Sequence, residues 1–299
     1  MSKRKRGTIG RLALNLLTLG IIVFVLGPFI WVISASLQPE NELLKKPPSI
    51  IPQNPTFDNY NYIFTGKIPS SLEVKGVMRS RISQEARLIS PAFKNSLIVS
   101  FWVMVVNSLL GPPAAYAFSR FRFRGKSFMF NFILASRLMP VMAIAIPYYV
   151  IIKKMQLLDS LLSLILIHTT LSLPFTIWFL TLYISNISRE IEEASLVDGC
   201  KPIDTLLKIV VPMIRPAWIT ACVFAFMTSY NEFVFARFLT QSIKSQTGPV
   251  IIASIAGNPD VSYSLISVCV TLGMIPPLIL AVIMRNWLVK GLSMSATYK

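Results

Sequence analysis

LALNLLTLGIIVFVLGPFIWVI, residues Leu12–Ile33, carries no charged side chain. A helix of about 20 apolar residues, rising 1.5 Å per residue, crosses the roughly 30 Å hydrocarbon core of a bilayer. Ser96–Phe118, Leu161–Ile184 and Leu265–Met284 are uncharged blocks of the same kind. Two further blocks are long enough but interrupted: Phe128–Ile152 holds Arg137, and Ala217–Leu239 holds Glu232 and Arg237. No stretch shows the alternating pattern of a membrane barrel. The reading is an all-α membrane protein with six transmembrane helices, since a helix satisfies its own backbone polar groups in lipid.

Composition agrees. The 299 residues are 54% hydrophobic and 14% charged, against roughly 25% charged in a soluble domain. The net charge of +16 would suggest nucleic acid in a soluble chain. Beside membrane blocks it instead reads as a topology signal. Lys3, Arg4, Lys5, Arg6 and Arg11 precede the first block, and Arg120, Arg122, Arg124 and Lys126 crowd a short loop on the same side. The longer opposite loops are less densely basic, so both termini are expected in the cytoplasm. Leu12–Ile33 exceeds the 7–15 residues of a signal-peptide core, so it is expected to stay as the first helix. Cys200, Cys222 and Cys269 form no CxxC pair, which disfavours disulfide scaffolds and zinc. Gly125-Lys126-Ser127 mimics the end of a phosphate loop, but Arg120 stands where the first glycine belongs.

Three regions follow: 1–37, an N-terminus and first helix; 38–94, an extracytoplasmic loop; and 95–299, a five-helix core with a cytoplasmic loop at 186–216 and a C-terminal tail. The proline-rich stretch Gln38–Pro91 reads as a loop against the outer rim or a plain connector, with a short helix near Ser83–Ile89. Prolines in the blocks (Pro112, Pro113, Pro140, Pro147, Pro174, Pro276, Pro277) each remove a backbone donor and can kink a helix.

NISREIEEASLVDGCKPIDTLLKIVVPMIRP, Asn186–Pro216, is too polar to span and holds Glu190, Glu192, Glu193, Asp198 and Asp204. Ser188 is a candidate N-cap, and Glu190 suits the positive end of a helix dipole. The helix is expected to run to Val197 and stop at Asp198-Gly199, with glycine in the left-handed conformation. Pro202 opens a second helix, with Ile203, Leu206, Leu207 and Val210 on one apolar face. The product is an acidic helix–turn–helix elbow on the cytoplasmic surface.

Glu193-Ala194-Ser195, Gly199 and Ile209-Val210-Val211-Pro212 resemble the E-A-A…G…I-x-L-P pattern of the permease subunits of binding-protein-dependent ABC importers. The spacing agrees; Ser195 and Val211 depart from the pattern. Ala115–Arg120, Ile146-Pro147-Tyr148, Asn231-Glu232-Phe233 and Arg285–Gly291 resemble the carbohydrate branch, most closely the smaller membrane subunit of the maltose importer. The resemblance implies a type I importer bundle. It implies a second permease subunit, two ATPase subunits that bind ATP and Mg, and an extracytoplasmic binding protein; this chain would hold no cofactor and catalyse nothing. It also implies that the elbow docks on the ATPase, with Glu192, Glu193, Ala194, Asp198, Gly199, Ile209 and Pro212 as coupling residues.

A charge at membrane depth faces a cavity or a partner. Arg137, Tyr148, Asn231 and Glu232 are therefore the candidate substrate pathway. Arg137 either meets an anionic substrate group, which would make the sugar an acidic, uronate- or alginate-like oligosaccharide, or pairs with Glu232; Arg237 is free to snorkel. His168, the sole histidine, reads as a satisfied interhelical donor. The alternative function is an ion-coupled secondary transporter, but no internal repeat supports it. A membrane enzyme would need a catalytic cluster the chain lacks.

Overall fold

The computed structural model describes residues 2–47, 49–67, 86–258 and 261–293. All regular structure among them is helical. Among the described residues, four helices are long and apolar enough to span a membrane: Leu14–Ser36, Ile89–Arg120, Leu161–Ser185 and Tyr263–Trp287. Two bent pairs bring the number to six if each counts as one span. The chain divides into two compact units, Met1–Ile89 with Ile252–Met274, and Ser90–Ile251 with Ile275–Lys299.

In the first unit, α1 (Ser2–Ser36) displays most large apolar side chains of Leu14–Ile33 outward, Phe24 at 83% exposure. Two short helices follow, α2 (Glu40–Leu43) and α3 (Asp58–Thr65). The loop holding them is no plain connector. Tyr60 Oη lies 2.7 Å from Ser36 Oγ, and the Thr56 amide donates to Leu37 O at 2.8 Å. Buried Glu42 accepts from the amides of Gln53 (2.5 Å) and Asn54 (3.2 Å). Glu40 accepts from the amides of Tyr263 (3.0 Å) and Ser264 (2.9 Å), which caps from outside a helix that starts there. Of the expected helix near Ser83–Ile89, residues 83–85 lie outside the described residues, and residues 86–89 are helical apart from a turn at Leu88.

In the second unit, α4 (Ile89–Arg120) runs through Pro112-Pro113 without a break. The third apolar block does break. α5 (Lys126–Ala135) and a 3₁₀ turn (Ser136–Leu138) meet α6 (Val141–Lys154) at 103°. Of the membrane prolines that can kink a helix, Pro112, Pro113 and Pro174 lie inside continuous helices, and the break falls at Pro140. A proline inside a helix deletes one hydrogen bond, which packing tolerates. Pro140 instead follows Met139 in an extended conformation (φ −68°, ψ 129°), the one that a following proline favours.

Ser160 caps α7 (Leu161–Ser185) by accepting from the Ser163 amide. The turn before it is pinned. The Asp159 amide donates to Leu239 O, and its carboxylate accepts from the amides of Gln241 and Ser242, each at 2.9 Å, and from the Ser245 hydroxyl. Partial burial opposes the charge, but these donors outweigh it and hold the Asp159 carboxyl well below its ordinary 3.8. A depressed carboxylate contributes its stability above the unfolded value and loses it as pH falls through the folded one. The pin should therefore persist from neutral pH down past about pH 4. Asp159→Ala should remove about 1.5–3 kcal/mol locally, read as at least about tenfold faster proteolysis at Gln241–Gln246 at pH 7.

The fifth block is also interrupted. α11 (Arg215–Tyr230) stops, and α12 (Val234–Leu239) resumes after Asn231–Phe233. Two apolar clusters organise the unit. One joins Ala115, Tyr116, Leu180, Ile184, Leu206, Val210, Ala217 and Ala221. The other joins Val99, Val103, Ala145, Leu164, Ile167, Phe235 and Leu239. Between α4 and α7 a side chain of one helix fills the space over a glycine of the other: a Cβ on Gly111 would sit 2.5 Å from Thr176 Cγ2, the use of small residues expected between membrane helices. The chain closes with α13 (Gly248–Ala256) and α14 (Tyr263–Ser293).

Candidate functional site

The elbow starts with α8 (Arg189–Val197). Ser188 occupies the N-cap but makes no side-chain cap bond, contrary to expectation. The end of α8 follows the sequence reading. Gly199 has φ +87°, its amide donates to Leu196 O at 3.1 Å, and the Cys200 amide donates to Ser195 O at 3.0 Å. These two bonds are the Schellman pattern. A Cβ at Gly199 would meet nothing within 4 Å, so the backbone alone demands glycine. Ser195 Oγ lies 2.8 Å from Thr205 Oγ1 and ties α8 to α9 (Pro202–Thr205), where Pro202 stands in the first turn.

The expected apolar face is half right. Leu206 and Val210 are buried, but Ile203 and Leu207 are 53% and 59% exposed. A π turn over Leu206–Val210 takes up an extra residue. The buried row becomes Leu206, Val210 and Ile214, passing through α10 (Val211–Met213). Ile203 and Leu207 are left outward, as are Ile191, Leu196 and Val197. Glu193, Ala194, Asp198, Gly199 and Pro212 are exposed as well, and Ile209 is half-buried. The outward surface is thus apolar as well as acidic. Asp204 and Lys208 pair at 2.9 Å in the open, a contact worth little.

Glu192 departs from the other proposed coupling residues. It is 5% exposed and faces the bundle. Its Oε1 accepts from Arg120 Nε at 2.7 Å and lies 2.6 Å from Arg120 Nη2; its Oε2 accepts from Tyr116 Oη at 3.0 Å. Arg120 Nη2 also donates to Ile187 O at 2.8 Å. Stripping one partner from such a pair typically costs about 3–5 kcal/mol. Sequence reasoning missed Tyr116 and Arg120; their i, i+4 spacing at the end of an apolar block was the available signal.

The candidate pathway residues do not all converge. Arg137 is exposed on the 3₁₀ turn at the break, its guanidinium 5.3 Å from the Phe175 ring centroid, a cation–π contact. It does not pair with Glu232. Glu232 meets His168 Nε2 at 3.1 Å and accepts from the amides of Phe235 (2.8 Å) and Ala236 (3.0 Å), capping α12. His168 Nδ1 lies 2.9 Å from Ser229 Oγ, so the histidine is satisfied between helices as expected. Hydrogen bonding continues from the His168 carbonyl through Ser172 and Asn107 to Thr176. Tyr148 packs edge-on against Phe235 at 5.5 Å. Asn231 caps α11 and is exposed, as is Arg237.

An outward elbow between two apolar segments, beside two interrupted membrane blocks, suits a transporter subunit that works with a partner. Residues 107–294 match the family described as binding-protein-dependent transport system inner membrane component. The chain belongs to this family. It is an inner-membrane permease of the ABC type, and the match contains the elbow and both interrupted blocks. The permease is 30% identical over 273 residues to the sulfoquinovosyl glycerol transport system permease protein SmoH of Agrobacterium fabrum, covering 91% of this chain and 89% of that one. It is 27% identical over 286 residues to the trehalose/maltose transport system permease protein MalG of Thermococcus litoralis, covering 94% and 95%. Its fold matches a chain of a bacterial ABC transporter that imports the acidic polysaccharide alginate. The TM-score is 0.72 at 20% identity, over 95% of this permease and 97% of that chain. Membership in a binding-protein-dependent family sets aside the ion-coupled secondary transporter.

Proposed function

We propose that the permease forms half of the pathway of a sugar importer. A second permease subunit completes the pathway, two ATPase subunits bind ATP and Mg beneath it, and an extracytoplasmic binding protein delivers the sugar. The chain itself hydrolyses nothing. The observation that carries this reading is the elbow: a short, internally braced segment that holds acids and apolar side chains outward. The ATPase seats on that surface, with Glu193 toward basic groups and Val197, Ile203 and Leu207 supplying desolvated contact. Both termini lie in the cytoplasm with the elbow. The Arg120 contacts support one step of that topology, because they set the end of α4 and its basic loop on the elbow's side. Reconstitution tests the assignment. Sugar-loaded binding protein should stimulate ATP hydrolysis by the four-subunit assembly several-fold, and the purified permease alone should hydrolyse none. An assembly indifferent to sugar would refute it.

The substrate is an acidic oligosaccharide. Arg137 supports this, as an exposed guanidinium within an apolar block where a lipid-facing charge costs at least about 2.5–3.5 kcal/mol. The alginate importer's likeness in fold is compatible with it. A charge-assisted hydrogen bond contributes about 1.5–3 kcal/mol. Arg137→Gln should therefore lower uptake of an acidic oligosaccharide about tenfold or more and spare a neutral one. Equal uptake of the acidic sugar by both proteins would remove this assignment.

A further inference from the structure

Among the described residues, three polar clusters built on a titratable side chain lie in the second unit away from the elbow's outward face: the Asp159 pin, the His168–Glu232 pair, and the joint of Tyr116 and Arg120 with Glu192. The first two join α7, or the turn before it, to residues 229–245. The third joins α4 to the elbow. Tyr116 and Arg120 stand one turn apart at the end of α4, and Glu192 stands on α8. Both carboxylate oxygens are used, and the same guanidinium holds Ile187 O just beyond α7. Every charged member is at least nine-tenths buried, so neither charge is free to swing into water. The other side-chain bond of α8 to a separate helix is internal to the elbow, Ser195 to Thr205; Ser119 Oγ to Ser185 Oγ at 3.1 Å, nearby and exposed, joins α4 to α7 and not to α8. The elbow's second half instead rests on Leu180, Ile184 and Ala217 through Leu206 and Val210, an apolar contact. Apolar contact is non-directional and permits sliding; here two guanidinium nitrogens on Oε1 and the Tyr116 hydroxyl on Oε2 fix distance and angle through charge-assisted bonds.

We propose that the Tyr116/Arg120–Glu192 joint is a strut that transmits displacement of the elbow to α4, making Arg120 and Tyr116 positioning residues for transport rather than contacts with the ATPase. The proposal rests on the elbow's docking on that ATPase. In the reconstituted four-subunit assembly, Arg120→Gln should lower sugar uptake at least about tenfold. Co-purification with the ATPase subunits should persist, and ATP hydrolysis should stay within about twofold of the parent. The reciprocal pair Arg120→Glu with Glu192→Arg should restore at least a third of the lost uptake, which a purely local packing role would not.

Uptake unchanged in Arg120→Gln would overturn the strut. So would loss of co-purification, since the joint would then merely shape the docking face. If Arg120→Gln fails to insert, Tyr116→Phe decides the matter: the ratio of sugar moved to ATP hydrolysed should fall at least about twofold, and an unchanged ratio would refute the proposal. Glu193→Lys, measured alongside, separates the two readings. If it co-purifies and transports normally, it is docking that fails, and not the strut.

Discussion

Gly199→Pro should leave the permease in the membrane and reduce sugar uptake by at least about 100-fold. Proline fixes φ near −65°, whereas Gly199 sits at +87°. The substitution also deletes the amide that donates to Leu196 O. A proline forced against its backbone typically costs about 3 kcal/mol or more, and about 1.4 kcal/mol corresponds to a tenfold change. The elbow would open at its turn, and the outward faces of α8 and α9 would no longer form one surface. Because a Cβ there meets no neighbour, Gly199→Ala bears only the left-handed penalty, about 1–2 kcal/mol. It should keep an intermediate uptake. Proteoliposome uptake normalised to inserted protein measures both. A proline variant that transports like the parent would show that the turn is not a mechanical element.

Glu232→Ala should destabilise the permease by several kcal/mol, since each buried donor left without an acceptor typically costs about 1–3 kcal/mol. The carboxylate serves three donors at once: His168 Nε2 and the amides that begin α12. Alanine leaves all three without an acceptor close to the break at Asn231–Phe233. Glu232→Gln keeps one carbonyl oxygen and should lose about half as much. Denaturant midpoints in detergent, read from intrinsic fluorescence, distinguish them. Equal midpoints for parent and alanine variant would mean the cap is dispensable.

What the sequence revealed depended on whether the cause was local. A span is an uncharged run, so Leu12–Ile33 and Leu161–Ile184 declared themselves. Gly199 and Pro202 announced the elbow because their backbone limits do not depend on neighbours. Which proline breaks a helix is decided by packing, and nothing near Pro140 marks it apart from Pro147 or Pro174. Side-chain direction was hidden in the same way. Glu192 and Glu193 are adjacent acids, yet one faces Arg120 and the other solvent. The π turn at Leu206–Val210 moved Ile203 and Leu207 outward against a regular 3.6-residue count. His168 and Glu232 are far apart in sequence, so the alternative that paired Glu232 with Arg137 had no local signal to correct it.

The proposed mechanism depends on a separate ATPase gripping the elbow. Val197 is the best-placed reporter, at 88% exposure on the outward face and with no internal role to disturb. A photo-crosslinking residue placed at Val197 in the assembled transporter should join the permease to an ATPase subunit, in a single dominant product. An assembly active in sugar-driven ATP hydrolysis that gave no crosslink to the ATPase from that position would show that the elbow is not held there.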